Sequence, residues 1–176
     1  REPEIVNNAR FVGMHGSIRR GYLGSPKPMR EYNVKQYAHS CQAVFAAPWE
    51  KVITPLDTCG TVVLKGERFA RVLEAAQANE IAAIVADNHL QWFEAVRDWP
   101  VLQDVDPLRQ SSVLYDTVAI YLAFSTDFLA MEMLPIVVTA DGKTLIDEAG
   151  EPVSCAMEWK DKDGFLDLLV ERLVNA

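Results

Sequence analysis

Gly24-Ser25-Pro26-Lys27-Pro28-Met29-Arg30-Glu31-Tyr32-Asn33 places a carboxylate and a carboxamide two residues apart, just ahead of a helical pattern. Read as an extended segment, residues i and i+2 share a face, so Glu31 and Asn33 point into one pocket while Tyr32 packs the other way. Pro26 and Pro28 stiffen the approach and reduce the entropy lost on ordering it. A Glu accepts hydrogen bonds and an Asn both donates and accepts, a combination suited to the vicinal hydroxyls of a sugar. The same residue types also favour caps and turns, where their polar groups serve only the local backbone.

Working outward, Val34, Tyr37, Ala38, Cys41, Val44 and Phe45 recur at helical spacing, and Pro48 ends the run, which predicts one helix over 34–47. Val52-Ile53-Thr54 is a short β-prone run ending in Pro55-Leu56-Asp57. Asp57 therefore stands just past the carboxyl end of a strand, where open α/β sheets bind ligands, or else it braces a neighbouring loop. Upstream, residues 9–15 alternate loosely into Gly16 and read as a first strand running into a turn. His15 at its end is a structural donor or a pocket group, and Arg19-Arg20 is solvated charge or a phosphate contact.

Downstream, Glu67 to Asn79 and then Ile81 to Trp99 give two helical patterns, the second closed by Pro100. Trp92, with Asn88 and His89, lies on the second, either as core or as a ligand contact. Asp116 opens an apolar run, Val118-Ala119-Ile120-Tyr121-Leu122, that reads as a buried helix, and capping of that helix explains an acid there. A strand over 134–139, a turn centred on Asp141-Gly142, a return strand through Ile146 and a strand over 153–159 predict a small carboxyl-terminal β-meander. Phe165, Leu168, Leu169 and Leu173 define a terminal amphipathic helix begun by Asp161 or Asp163. Alternating strands and helices predict an α/β, three-layer arrangement in a single domain over 1–176.

The chain has 176 residues, 49% hydrophobic and 24% charged, enough for a proper core. Its 17 basic residues against 25 acidic ones give a net charge of -8, which argues against nucleic acid or an anionic membrane as partner and suits a small neutral ligand. No stretch reaches the ~20 apolar residues that span a bilayer, and no secretory h-region follows Arg1. Cys41, Cys59 and Cys155 are widely spaced and odd in number, so neither a disulfide framework nor a zinc site is indicated. Free thiols tilt the balance towards a reducing, cytoplasmic compartment, although an exported and processed parent reads the same way. Arg1 in place of a starting Met implies a piece of a longer chain.

From about Phe11 to Phe124 these motifs, in this order, resemble the nucleoside hydrolase family. The family's sugar-binding pattern runs Gly-Asn, a Pro-containing spacer, Glu-Phe-Asn, a helix and Pro-Leu-Asp. Its counterparts here are Gly24-Ser25, Glu31-Tyr32-Asn33 and Pro55-Leu56-Asp57, and Tyr115-Asp116-Thr117 answers the family's His-Asp-Pro. The resemblance implies cleavage of the N-glycosidic bond of a nucleoside through an oxocarbenium-like transition state, with a calcium ion holding the ribose diol and an activated water. It implies Asp116 as a calcium ligand, Ser25, Glu31 and Asn33 as ribose contacts, Trp92 as a base contact and Tyr115 in the place of the catalytic acid.

Three departures qualify that inheritance. The family's Asp-rich amino-terminal signature is absent, so the chain reads as the carboxyl-terminal part of the fold, expected by itself neither to bind calcium tightly nor to hydrolyse nucleosides. Its expected partners are the missing amino-terminal half or, in a homo-oligomer, a second copy. Ser25 reaches less far than the family's Asn, and a phenol of pKa ~10 at Tyr115 is a poor general acid at neutral pH. A sugar- or nucleoside-binding module that keeps the fold without the chemistry is the competing expectation.

Overall fold

In a computed structural model, which describes residues 3–103 and 105–176, five strands form one mixed sheet in the order β1-β2-β5-β3-β4. They are β1 (Arg10–Met14), β2 (Glu50–Thr54), β3 (Leu129–Val138), β4 (Thr144–Ile146) and β5 (Glu151–Trp159). The α-helices among the described residues are α1 (Tyr32–Gln36), α2 (Ala38–Ala46), α3 (Leu56–Cys59), α4 (Glu67–Ala75), α5 (Glu80–Val96), α6 (Tyr115–Leu122) and α7 (Lys162–Val174). Arg1, Glu2 and Asp104 lie outside the described residues, and the expectation attached to Arg1 lies there with them. The chain divides into two compact units, residues 1–61 with 115–160 and residues 62–114 with 161–176.

The first unit is three-layered, as the alternation of strands and helices predicts. Ile53 of β2 and Val153, Cys155 and Met157 of β5 share one buried cluster with Val34 of α1 and with Cys41 and Phe45 of α2. Successive strand residues face opposite ways, so Thr54 points to the other side, where its hydroxyl meets that of Thr58 in α3 at 2.9 Å. Thr58 also donates to the Ala156 carbonyl at 2.8 Å, which fixes α3 on that face beside β5. Helix α6 packs there too, against β1, β2 and α3.

Strand pairing corrects the expected meander. The three late strands exist where the sequence puts them, but β5 returns past β4 to lie between β3, which it pairs antiparallel, and β2, which it pairs parallel. They are therefore part of the main sheet rather than a separate hairpin set. Strand β3 also starts earlier than its apolar run, through Pro135. Pro135 sits opposite Pro152, a pair that exchanges no ladder bonds, and its carbonyl accepts from Asp147 on the other side, past the last β3–β4 pair. The turn after β3 holds Gly142 at φ 82°, and a Cβ there would come within 2.5 Å of the Lys35 Cα, so close approach to α1 adds to the conformational demand for glycine.

The helix expected over 34–47 is two helices. Tyr37 leaves helical geometry at φ -127°, and the break lets Val34 and the Cys41–Phe45 pair both reach the core. In the second unit α4, α5 and α7 pack together. Asn79 caps α5 by accepting from Ala82 N–H, and Asp161, one of the two candidates, caps α7 by accepting from Gly164 N–H. Arg68 of α4 spans Asp163 and Asp167 of α7 at 2.7 Å each. No helix among the described residues is long and apolar enough to cross a membrane.

Candidate active site at the carboxyl ends of β1 and β2

Parallel strands β1 and β2 end side by side at Met14 and Thr54, and the chain leaving each carries acidic side chains back over the strand ends. Asp57, in the first turn of α3, is buried. Its carboxylate accepts from the backbone N–H groups of Ile18 at 2.9 Å, Arg19 at 2.7 Å and Arg20 at 3.0 Å. This is the bracing alternative of the sequence reading, directed at the loop after β1. Glu31 is equally buried, at 2% exposure. It caps α1, accepting from Asn33 N–H at 2.8 Å and Val34 N–H at 3.1 Å, and it also accepts from Gly16 N–H at 3.5 Å.

The segment is thus not extended at Glu31-Tyr32-Asn33, a correction with a simple cause. A carboxylate one residue before a helix satisfies the orphan N–H groups of its first turn, which favours helix from Tyr32 onward over continued strand. Asn33 is consequently helical and exposed, and it lines a recess of about 190 Å³ with His15, Tyr37, Ser40, Cys41, Val44 and Phe45. A carboxylate has about four lone-pair sites. With its local backbone bonds made, Glu31 keeps room for one further donor, so it suits a single hydroxyl rather than a bidentate grip on a diol.

Tyr115 and Asp116 form the first turn of α6 in the same unit, Tyr115 half-buried and Asp116 exposed. Burial first, and then the neighbouring Tyr22, Cys59 and Glu31, push the Tyr115 phenol up to about 12. Burial lowers the pKa of His15, while the charges of Glu31 and Asp116 oppose the shift. Cys59, a buried thiol raised mainly by desolvation, also responds to Glu31, Asp116 and Asp57. Glu31 and Asp116 are thus both among the charges felt by His15 and Cys59.

The remaining candidates are Ser25 and Trp92. The Ser25 hydroxyl accepts from Lys27 N–H at 3.4 Å and serves its own turn. Trp92 belongs to the second unit, 39% exposed, its ring edge-on to Phe93 and Trp99. There it lines a recess of about 250 Å³ with Asn88 and His89. His89 is committed: Nδ1 accepts from Ser112 N–H at 3.1 Å, which leaves Nε2 as donor to the Pro107 carbonyl at 2.7 Å. The threefold backbone grip of Asp57 has a visible signal in sequence, an acid straight after a strand, whereas Tyr22, between Gly21 and Gly24, has none.

His15 carries a pH prediction. Its Nδ1 is buried without a hydrogen-bond partner among the described residues, and the ring packs among Phe11 and Phe45. Because the folded pKa lies below about 6.5, the unfolded chain binds more protons than the fold between those two values. Stability is therefore whole above about pH 6.5 and declines as the pH falls through that window. His15→Phe removes this contribution to the decline. Urea unfolding at about pH 7.5 and about pH 5.5 checks it: a smaller loss in the variant agrees, and equal losses contradict the assignment.

Comparison with known proteins decides the relationship. The model of the family described as inosine-uridine preferring nucleoside hydrolase matches residues 1–167. The chain belongs to that family. Among solved structures this nucleoside hydrolase chain is similar to the purine-preferring ribonucleoside hydrolase of Gardnerella vaginalis, with a TM-score of 0.76 at 17% identity. It is also similar to the inosine-uridine preferring nucleoside hydrolase of Bacillus anthracis, with a TM-score of 0.60 at 17% identity. Each likeness covers 98% of this chain and 54% of the other, so the chain spans about half the length of these hydrolases. No curated protein matches it. At this identity the solved structures establish the fold, and the nucleoside hydrolase fold inferred from the motifs is the one found.

Proposed function

We propose that this chain forms part of a nucleoside hydrolase that cleaves the N-glycosidic bond of ribonucleosides, with the sugar held at the carboxyl ends of β1 and β2. The observation that carries the proposal is geometric: Tyr22 accepts from Tyr32 N–H, next to Glu31, at 2.7 Å, and its ring meets that of Tyr115, next to Asp116, with centroids 6.2 Å apart. Two carboxylates beside one small site stabilise the positive charge that develops on the sugar as the bond to the base breaks. Glu31 accepts a hydrogen bond from one ribose hydroxyl, and Asn33 supplies an amide at the neighbouring recess. Tyr115, a neutral phenol throughout the physiological range, hydrogen-bonds or stacks against the leaving base without protonating it.

The family implies calcium, and the residues of this chain do not make a site for it unaided. Calcium takes six to eight oxygens, yet the described residues hold no group of three or more candidate side chains. Glu31 is already engaged by backbone N–H groups, which leaves Asp116 as one ligand contributed to oxygens supplied from outside these residues. The chain by itself is inactive on this reading, and the rest of the enzyme covers the far edge of β1, which pairs with no strand among the described residues.

A binding module without turnover is the second reading, favoured by the phenol at position 115, whose high pKa removes an acid from the site. Ribose release by the full-length protein separates the two. Turnover of a ribonucleoside that falls by at least about 10³-fold in Asp116→Ala supports the hydrolase. Binding of the nucleoside with no ribose released establishes the module, and turnover indifferent to Asp116→Ala overturns the assignment of that residue.

A further inference from the structure

Tyr22 stands at the start of a short 3-10 turn, Tyr22–Gly24, whose backbone is held in an uncommon state. Leu23 has φ 55°, and it is the only non-glycine residue with positive φ among the described residues. Gly24 follows at φ 76°. Leucine rarely enters the left-handed region because its Cβ crowds the following carbonyl, and such positions persist where the surroundings over-determine them. Here the surroundings act on the tyrosine next door. The Tyr22 oxygen accepts from Tyr32 N–H at 2.7 Å, and its ring meets that of Tyr115 edge-to-face, with centroids 6.2 Å apart.

Those two contacts join the two halves of the candidate site. Tyr32 is the first residue of α1, directly after its cap Glu31, and Tyr115 is the first residue of α6, directly before Asp116. A phenol has one proton to donate as well as lone pairs to accept with. Among the described residues the Tyr22 hydroxyl makes a hydrogen bond only as acceptor, so its proton remains available on the side away from Tyr32. Burial and the nearby Glu31 charge raise the phenol's pKa, which keeps that proton in place at neutral pH.

We infer that Tyr22 is a substrate-contacting residue of this site, donating a hydrogen bond to the oxygen of one ribose hydroxyl while Glu31 accepts from the adjacent one. A donor beside an acceptor matches a vicinal diol, in which each hydroxyl can serve one role, and it discriminates against sugars lacking either group. Tyr22 supplies the contact that Ser25, turned to its own loop, does not make. The inference rests on the hydrolase reading above and adds to it a named contact and a demand for the diol.

The test is kcat/KM of the full-length protein and of Tyr22→Phe for a ribonucleoside and for its 2'-deoxy and 3'-deoxy counterparts. Phenylalanine keeps the ring against Tyr115 and removes only the hydroxyl. The wild type is expected to favour the ribonucleoside over both deoxy substrates. Tyr22→Phe is expected to lose at least about tenfold on the ribonucleoside and on one deoxy substrate. On the other, whose missing hydroxyl is the one Tyr22 contacts, it is expected to match the wild type. An equal loss on all three substrates makes Tyr22 a structural residue and overturns the inference while leaving the hydrolase intact, and so does no loss on any. A wild type that cleaves none of them overturns the hydrolase reading and this contact with it.

Discussion

Asp57→Ala lowers the stability of the fold by about 3 kcal/mol, because one buried carboxylate satisfies the backbone N–H groups of three consecutive residues. Alanine leaves those donors facing the space the carboxylate vacates. The Ile18 amide is buried with nothing to replace its partner, and Ile18 itself belongs to the core shared by the sheet, α1 and α2. With an m-value of about 2 kcal/mol/M, the urea midpoint falls by about 1.5 M. Asp57→Asn recovers only part of this, since its amide presents a donor to N–H groups that need an acceptor. A midpoint for Asp57→Ala within about 0.2 M of wild type contradicts the bracing role.

Glu31→Gln carries the second large effect, and it divides between fold and site. The carboxylate caps α1 and ties it to Gly16, so loss of its charge at a helix start costs about 1 kcal/mol of stability. Binding suffers more. A charged acceptor for a ribose hydroxyl becomes a neutral amide with a single acceptor oxygen, already wanted by the backbone, and kcat/KM for a ribonucleoside falls by about 100-fold. The chemistry predicts that the loss is smaller for a substrate lacking the hydroxyl that Glu31 receives. A Glu31→Gln protein that loses the ~1 kcal/mol of stability yet keeps its full kcat/KM assigns Glu31 to capping alone.

The parts of this molecule that were legible in sequence are those governed by local spacing. The run into His15-Gly16, the helical apolar positions around Cys41 and Phe45, the strand before Pro55-Leu56-Asp57 and the helix with Asp116 in its first turn all stand close to where periodicity sets them. The ambiguity at Glu31-Tyr32-Asn33 was physical, since an acid before a helical pattern is both a cap and a plausible ligand contact, and only the hydrogen bonds to Asn33 and Val34 decide what its backbone does. Pairing was illegible because it is non-local. Nothing in Val153-Ser154-Cys155 announces that β5 lies between β2 and β3, nor does Pro135 reveal that it will face Pro152 on one side and lie past the last β3–β4 pair on the other, where β3 can run through it. Tyr22 escaped for the same reason, being distinguished by what it touches in space rather than by its flanking residues.

The measurement that tests the central claim most directly is a double-mutant cycle between Glu31→Gln and Asp116→Asn, read as kcat/KM for a ribonucleoside in the full-length protein. If the two acids serve one sugar, their losses are non-additive, with an interaction energy of about 1 kcal/mol or more. Strictly additive losses, or a cycle in which Asp116→Asn has no effect at all, would contradict the account and leave Glu31 and Asp116 as unrelated features of a shared fold.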